Sequence, residues 1–159
     1  MERFQILFVC AGNICRSPLA EGIFRHIATN AGRAAEFNIS SAGTGGWHQG
    51  DTPDPRSIAV AAEHGIDISR QRARRVTSED FDRFDLILAM DHDNLKSLLK
   101  IAPGRTVAKI QLFNSYASGT DEDIPDPYYG GREGFAMVYT KLFTGCSSLL
   151  AAAGKVRAS

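Results

Sequence analysis

Phe4-Gln5-Ile6-Leu7-Phe8-Val9-Cys10-Ala11-Gly12-Asn13-Ile14-Cys15-Arg16-Ser17-Pro18 is the stretch from which the rest of the chain is read. Phe4 to Val9 is short and nearly all apolar, the pattern of a strand buried on both faces. Ser17 reads as an N-cap and Pro18 as a first-turn residue, so a helix opens there. Leu19, Ile23 and Ile27 continue it at helical spacing, and Gly32 ends it. Between strand and helix, Cys10 and Arg16 are separated by five residues that include Gly12. A strand, a tight loop and a helix N-terminus aim several backbone N–H groups at one point. Such a nest binds phosphate and favours a thiolate. Arg16 can grip two phosphate oxygens in a bidentate fork. A cation is unfavourable at a helix N-terminus, so an arginine there calls for an anion. The segment by itself implies a cysteine nucleophile directed at a phosphate ester.

Outward from it, strands and helices alternate. Phe37 to Ala42 reads as a second strand, followed by a loop rich in glycine. Asp54-Pro55 caps a helix with Ile58, Ala61, Ala62 and Gly65 on one face. Thr77-Ser78-Glu79-Asp80 resembles a capping box on a short helix. Phe84 to Met90 is a third strand, with a helix from Asp91 to about Lys100. Val107 to Phe113 is the fourth strand. Asn114 to Gly131 is polar and turn-rich, and reads as a functional loop. Gly134 to Ala153 is an amphipathic helix with Phe135, Val138, Leu142, Phe143 and Leu149 inward. This alternation predicts an α/β fold, a parallel sheet with helices on both faces. Sites in such sheets lie at the carboxyl ends of the strands, where Cys10 stands.

The composition sets limits. A chain of 159 residues suits a single domain spanning 1–159 with a sizeable core. Lys+Arg and Asp+Glu both number 18, so no global bias toward nucleic acid or an anionic membrane exists. No uninterrupted apolar run reaches the roughly 18 residues of a spanning helix, and the N-terminus lacks a signal-peptide layout. Three cysteines do not make a disulfide scaffold. A reducing cytoplasm is the expected location. Cys146 reads as a core residue.

The loop from Cys10 to Ser17, its N-terminal placement, and Asp126-Pro127-Tyr128-Tyr129 together resemble the low-molecular-weight protein tyrosine phosphatases. Ser40-Ser41-Ala42-Gly43, Trp47, Asp54-Pro55-Arg56 and Met90-Asp91 are similar to further parts of that family. The resemblance runs from Phe4 to about Leu150. It implies a flavodoxin-like three-layer sandwich around a four-stranded parallel sheet. It implies catalysis by Cys10 through a phosphocysteine, with Arg16 binding phosphate and Asp126 serving as general acid and then general base. Ala11, Gly12, Asn13, Ile14, Cys15 and Ser17 complete the phosphate-binding loop. Asn13 holds its shape through a left-handed backbone conformation. Ser17 donates to the Cys10 thiolate, and Ser41 buttresses Asn13. Trp47, His48, Tyr128 and Tyr129 form the substrate cleft, whose aromatic walls suit a phosphotyrosine ring. The resemblance also implies that Cys15 is the redox partner of Cys10.

The resemblance implies tyrosine-phosphorylated proteins as substrates. No cofactor, metal, nucleic acid or membrane is called for, and a monomer or weak homodimer is expected. One departure stands out: Gln71 occupies the place where many members carry a histidine. A glutamine can hydrogen-bond but cannot carry charge. Three other readings compete. An arsenate reductase shares the loop but needs further thiols, and only Cys146 is distant. A catalytically dead phosphate-binding module would usually lack Cys10, Arg16 or Asp126, which are all present. A phosphoarginine phosphatase is set apart by Ile14, since members preferring phosphoarginine tend to carry threonine there.

Overall fold

Ile6, Phe8 and Cys10 point to one side of their strand, Leu7 and Val9 to the other, and all are buried. That strand, β1 (Phe4–Cys10), is the hinge of the architecture in the computed structural model, which describes residues 2–158. Met1 and Ser159, the outer ends of the expected 1–159 unit, lie outside the described residues. β1 pairs in parallel with β2 (Phe37–Gly43) and with β3 (Leu86–Ala89), and β3 pairs with β4 (Ile110–Leu112). The order β2-β1-β3-β4 places a topological switch between β1 and β3.

Among the described residues six α-helices flank the sheet: α1 (Arg16–Asn30), α2 (Pro55–Ala62), α3 (Ser78–Arg83), α4 (His92–Ile101), α5 (Phe113–Ser118) and α6 (Arg132–Ala158). Ile6 and Phe8 share a core with Leu19, Ile23 and Phe24 of α1, Phe113 of α5, and Phe135, Leu142 and Cys146 of α6. Leu7 and Val9 share the other with Phe81 of α3, Phe84 just after α3, and Leu98 of α4. The result is the expected three-layer α/β sandwich. Each fully buried side chain of this size contributes about 1.5–3 kcal/mol from leaving water. The two cores therefore fix β1 from both faces and hold Cys10 at a defined height.

Several boundaries move. Ser17 is not the cap of α1: the helix starts at Arg16, and the preceding residue Cys15 makes no side-chain cap bond. The Ser17 hydroxyl has closer buried partners at Cys10 and Asn13, which outcompete a capping role. The expected fourth strand begins late, because Gly104–Lys109 forms a 3-10 turn. That strand also ends one residue early, because Phe113 opens α5 and is buried there, and α5 takes the first residues of the stretch Asn114 to Gly131 expected as loop. In α2 the buried residues are Ser57, Val60 and Ala61, so Ala62 and Gly65 do not belong to the inward face. Phe143 is exposed, since the buried stripe of α6 runs through Val138, Tyr139, Leu142, Cys146 and Leu149 instead. By length and composition α6 is apolar enough to cross a membrane, unlike the expectation from uninterrupted runs. Its buried stripe is packed against α1 and α5.

Candidate active site

The loop Ala11–Cys15 leaves the carboxyl end of β1 and feeds directly into α1. Asn13 has φ 59°, the left-handed conformation expected of it, and is the one non-glycine residue with positive φ among the described residues. Its side chain is 2% exposed and fully used. Nδ2 donates to Ser17 Oγ (2.7 Å) and Ser41 Oγ (3.0 Å), while Oδ1 accepts from the Arg74 N–H (3.0 Å). These bonds keep the turn in a shape that costs an ordinary residue about 1 kcal/mol or more. The amide N–H groups of Ala11 to Cys15 donate to no protein acceptor among the described residues. They form a cluster of donors next to a helix N-terminus, as an anion requires.

Neighbouring strands shape the loop from outside. Thr44 and Gly45 donate their N–H groups to the carbonyls of Cys10 and Ala11 (2.9 and 3.0 Å). A Cβ on Gly43 would sit 2.8 Å from the Ala11 carbonyl oxygen, a backbone atom, so only glycine fits there. From the other side, the Asp54 N–H donates to Ile14 O (2.8 Å) and the Ser57 hydroxyl to Cys15 O (3.2 Å). Asp54 caps α2 as expected, accepting from the Arg56 N–H.

Cys10 Sγ lies 3.0 Å from Ser17 Oγ. Arg16 is 2% exposed and reaches across the switch point to the start of α4. Its Nη1 donates to Asp91 Oδ2 (2.6 Å) and to Ile124 O (2.9 Å). Its Nη2 is 3.7 Å from Asp126 Oδ2, beyond hydrogen-bond range, and its buried Nε has no partner. One edge of the guanidinium is thus anchored. The Nε–Nη2 edge, the one that grips two oxygens at once, remains free. Burial works against the Arg16 charge, yet Cys10, Asp91 and Asp126 outweigh it and raise its pKa above the ordinary value.

Cys10, Ala11, Gly12, Ile14, Cys15, Arg16, Trp47, His48, Asp126, Tyr128 and Tyr129 line one cleft of about 290 Å³. Every residue expected at the phosphate loop or cleft therefore lines it, except Asn13, Ser17 and Ser41, which stand behind the loop. Asp126 is half exposed, and its Oδ1 accepts from the Tyr128 N–H (3.0 Å). The Tyr128 and Tyr129 rings meet edge to face at 5.0 Å, and the Arg56 guanidinium lies 5.6 Å from the Tyr128 ring centre. Trp47 and Tyr129 are 74% and 95% exposed, large apolar surfaces in water beside the cleft. His48 Nδ1 is 3.2 Å from Asp51 Oδ2.

The three cysteines are all free thiols, and they differ. Burial, then the charges of Asp54, Cys10 and Asp126, push the Cys15 thiol up to about 12. Cys15 is therefore a neutral thiol at physiological pH. Complete burial likewise raises Cys146, which sits in the core as expected. Gln71 joins the network behind the loop: its Nε2 donates to Pro18 O (2.9 Å) and its Oε1 is 3.4 Å from Ser41 Oγ.

Two participants were not expected from the sequence. Asp91 stands there as a helix start and within the Met90-Asp91 piece of the resemblance, with no role assigned, but it anchors Arg16. Nothing in the sequence singles out Glu21 of α1, yet its Oε1 accepts from the Ser41 hydroxyl (2.9 Å). Burial raises its pKa, opposed by bonds from Ser41 and Arg25. Both contacts join residues far apart in the chain, which local pattern does not reveal.

The family model described as low molecular weight phosphotyrosine protein phosphatase matches residues 5–158. The chain is similar to the low molecular weight phosphotyrosine protein phosphatase of Schizosaccharomyces pombe, 46% identical over 143 residues, covering 89% of this chain and 91% of that protein. Among solved structures it resembles a protein tyrosine phosphatase from Entamoeba histolytica holding Hepes in its active site. The TM-score is 0.91 and the identity 35%, over 97% of this chain and 99% of that one. It also resembles the YwlE arginine phosphatase, solved as a mutant with a phosphorylated active-site serine. There the TM-score is 0.85 and the identity 29%, over 92% of this chain and 93% of that one.

Proposed function

The chain belongs to the low molecular weight phosphotyrosine protein phosphatase family, and on that premise we propose that it hydrolyses phosphotyrosine in proteins through a phosphocysteine on Cys10. One observation carries the reading: the Cys10 sulfur, the free Nε–Nη2 edge of Arg16 and the Asp126 carboxyl face a single cleft. The phosphoryl group docks on that edge and on the loop amides. The Cys10 thiolate attacks phosphorus, an S–P bond forms, and the P–O bond to the aryl group breaks. Asp126 enters this step protonated and gives its proton to the departing oxygen. A water then attacks phosphorus and loses a proton to the Asp126 carboxylate. The S–P bond breaks, and the thiolate returns to its place beside the Ser17 hydroxyl. Arg16 and the amides neutralise the charge spread over the equatorial oxygens in both steps.

Cys15, held neutral by its surroundings, is no rival nucleophile. Trp47, Tyr128 and Tyr129 offer aromatic faces on which a phosphotyrosine ring stacks. A phosphoarginine reading draws support from the likeness to YwlE. Ile14 on the cleft wall favours the tyrosine reading. The test is turnover of matched phosphotyrosyl and phosphoarginyl peptides in EDTA with reductant. Faster release from phosphotyrosine is expected; preference for phosphoarginine would replace the substrate and leave the chemistry.

A further inference from the structure

His92 opens α4, next to the Asp91 that anchors Arg16, and its ring is held between two carboxylates of the segment leading to Asp126. Nδ1 lies 2.5 Å from Asp123 Oδ1 and Nε2 lies 3.0 Å from Asp121 Oδ1. The His92 backbone N–H donates to the same Asp123 oxygen (2.9 Å). The next residue, Ile124, is tied twice. Its N–H donates to Met90 O (2.8 Å), and its carbonyl accepts from Arg16 Nη1 (2.9 Å). Asp126 follows two residues later. The start of α4, the phosphate-gripping arginine and the segment bearing the acid are thus one hydrogen-bonded unit.

Satisfying two carboxylates takes two ring N–H groups. The imidazolium has both; the neutral ring has one donor and one bare lone pair. With the neutral ring, one carboxylate would face that lone pair at contact distance, which is repulsive. The charged groups that meet the ring are Asp121 and Asp123 of the loop. On its own helix Lys96 lines the same hollow as His92, and Asp91 is engaged by Arg16. We propose that His92 is a positioning residue, clasping the segment 121–124 so that Asp126 stays at the cleft while the imidazole carries both protons. This rests on the reading of Asp126 as acid and base.

Hydrogen bonds from Asp121 and Asp123 raise the His92 pKa above the ordinary 6.5. A group with a raised pKa in the folded protein stabilises fully below its ordinary value. That contribution is lost as pH rises through the raised one. The clasp therefore holds below the raised value and opens as pH climbs through it.

The experiment measures kcat and KM against pH for the wild type and His92→Gln, together with an NMR titration of the wild-type His92 ring. The backbone amides of Asp126 and Tyr128 serve as reporters. Below the His92 midpoint, kcat of the variant should fall roughly threefold to tenfold, the scale of one lost charge-assisted hydrogen bond near the surface, with KM changed less. The ratio of wild type to variant should shrink toward one above the midpoint. The two amides should move with the same midpoint as the ring. A ratio constant across pH, or a ring that titrates without moving those amides, would overturn the proposal. Absent turnover with the amides still moving would fault the reading of Asp126 and leave the clasp standing.

Discussion

Ser17 Oγ stands 3.0 Å from Cys10 Sγ and 2.7 Å from Asn13 Nδ2. The amide can only donate, so the serine oxygen accepts there and its own proton is left for sulfur, Ala42 O being more distant at 3.4 Å. That proton matters most when sulfur leaves phosphorus and becomes a thiolate. Ser17→Ala should lower kcat by on the order of tenfold to a hundredfold, the scale of one removed donor at a developing charge. It should also produce a burst of released phenol before the slow steady state, because breakdown of the phosphocysteine becomes limiting. Rapid-mixing kinetics with an aryl phosphate check this; unchanged kcat without a burst would contradict it.

Asp91 does two jobs that substitution can separate. Its Oδ2 holds Arg16 and its Oδ1 caps α4 through the Asn94 N–H (2.7 Å). Asp91→Asn keeps a good cap but removes the charge facing Arg16. Asp91→Ala removes both. Both variants should lose about tenfold or more in kcat/KM, since a misplaced guanidinium no longer meets phosphate squarely. Only the alanine variant should also lose about 1 kcal/mol of stability from the missing cap. Phosphatase assays beside denaturant unfolding separate the two effects.

The two loop cysteines should respond differently to alkylation. With its thiol pushed up to about 12, Cys15 stays protonated and unreactive at neutral pH. Its modification should rise only as pH climbs toward that value, because the thiolate is the reactive form. Cys10 should be alkylated at neutral pH and protected by inorganic phosphate. Peptide mapping after iodoacetamide treatment reads both, and modification of Cys15 first would reverse their assigned roles.

Much of this was legible in the sequence, for identifiable reasons. The apolar run of β1, the loop after it and the capping signals at Asp54 and Thr77 are local patterns, and they hold in the structure. The left-handed Asn13 and its bond to Ser41 follow from motif positions read on the resemblance. The misplaced Ser17 cap shows a local signal losing to tertiary demand: a buried sulfur and amide claim the hydroxyl. Phe143 follows the buried Phe135 and Tyr139 at spacings of four, which reads as one face, but that row drifts around the helix and leaves Phe143 exposed. Asp91 with Arg16, Glu21 with Ser41, and His92 with Asp121 and Asp123 were not legible. Each pair is set by how separate elements converge, α1 on β2 for Glu21 with Ser41, and the loop after β1, the start of α4 and the segment before Asp126 for the others, across 20 or more residues of sequence.

The account stands most directly on a covalent intermediate at Cys10. The decisive measurement is mass spectrometry of the protein acid-quenched during turnover of an aryl phosphate in EDTA, with Cys10→Ala alongside. Phosphate is expected on the sulfur of Cys10 in the wild type, with no turnover by the folded variant. Undiminished turnover by Cys10→Ala, or wild-type turnover with phosphate carried on a different residue, would contradict it.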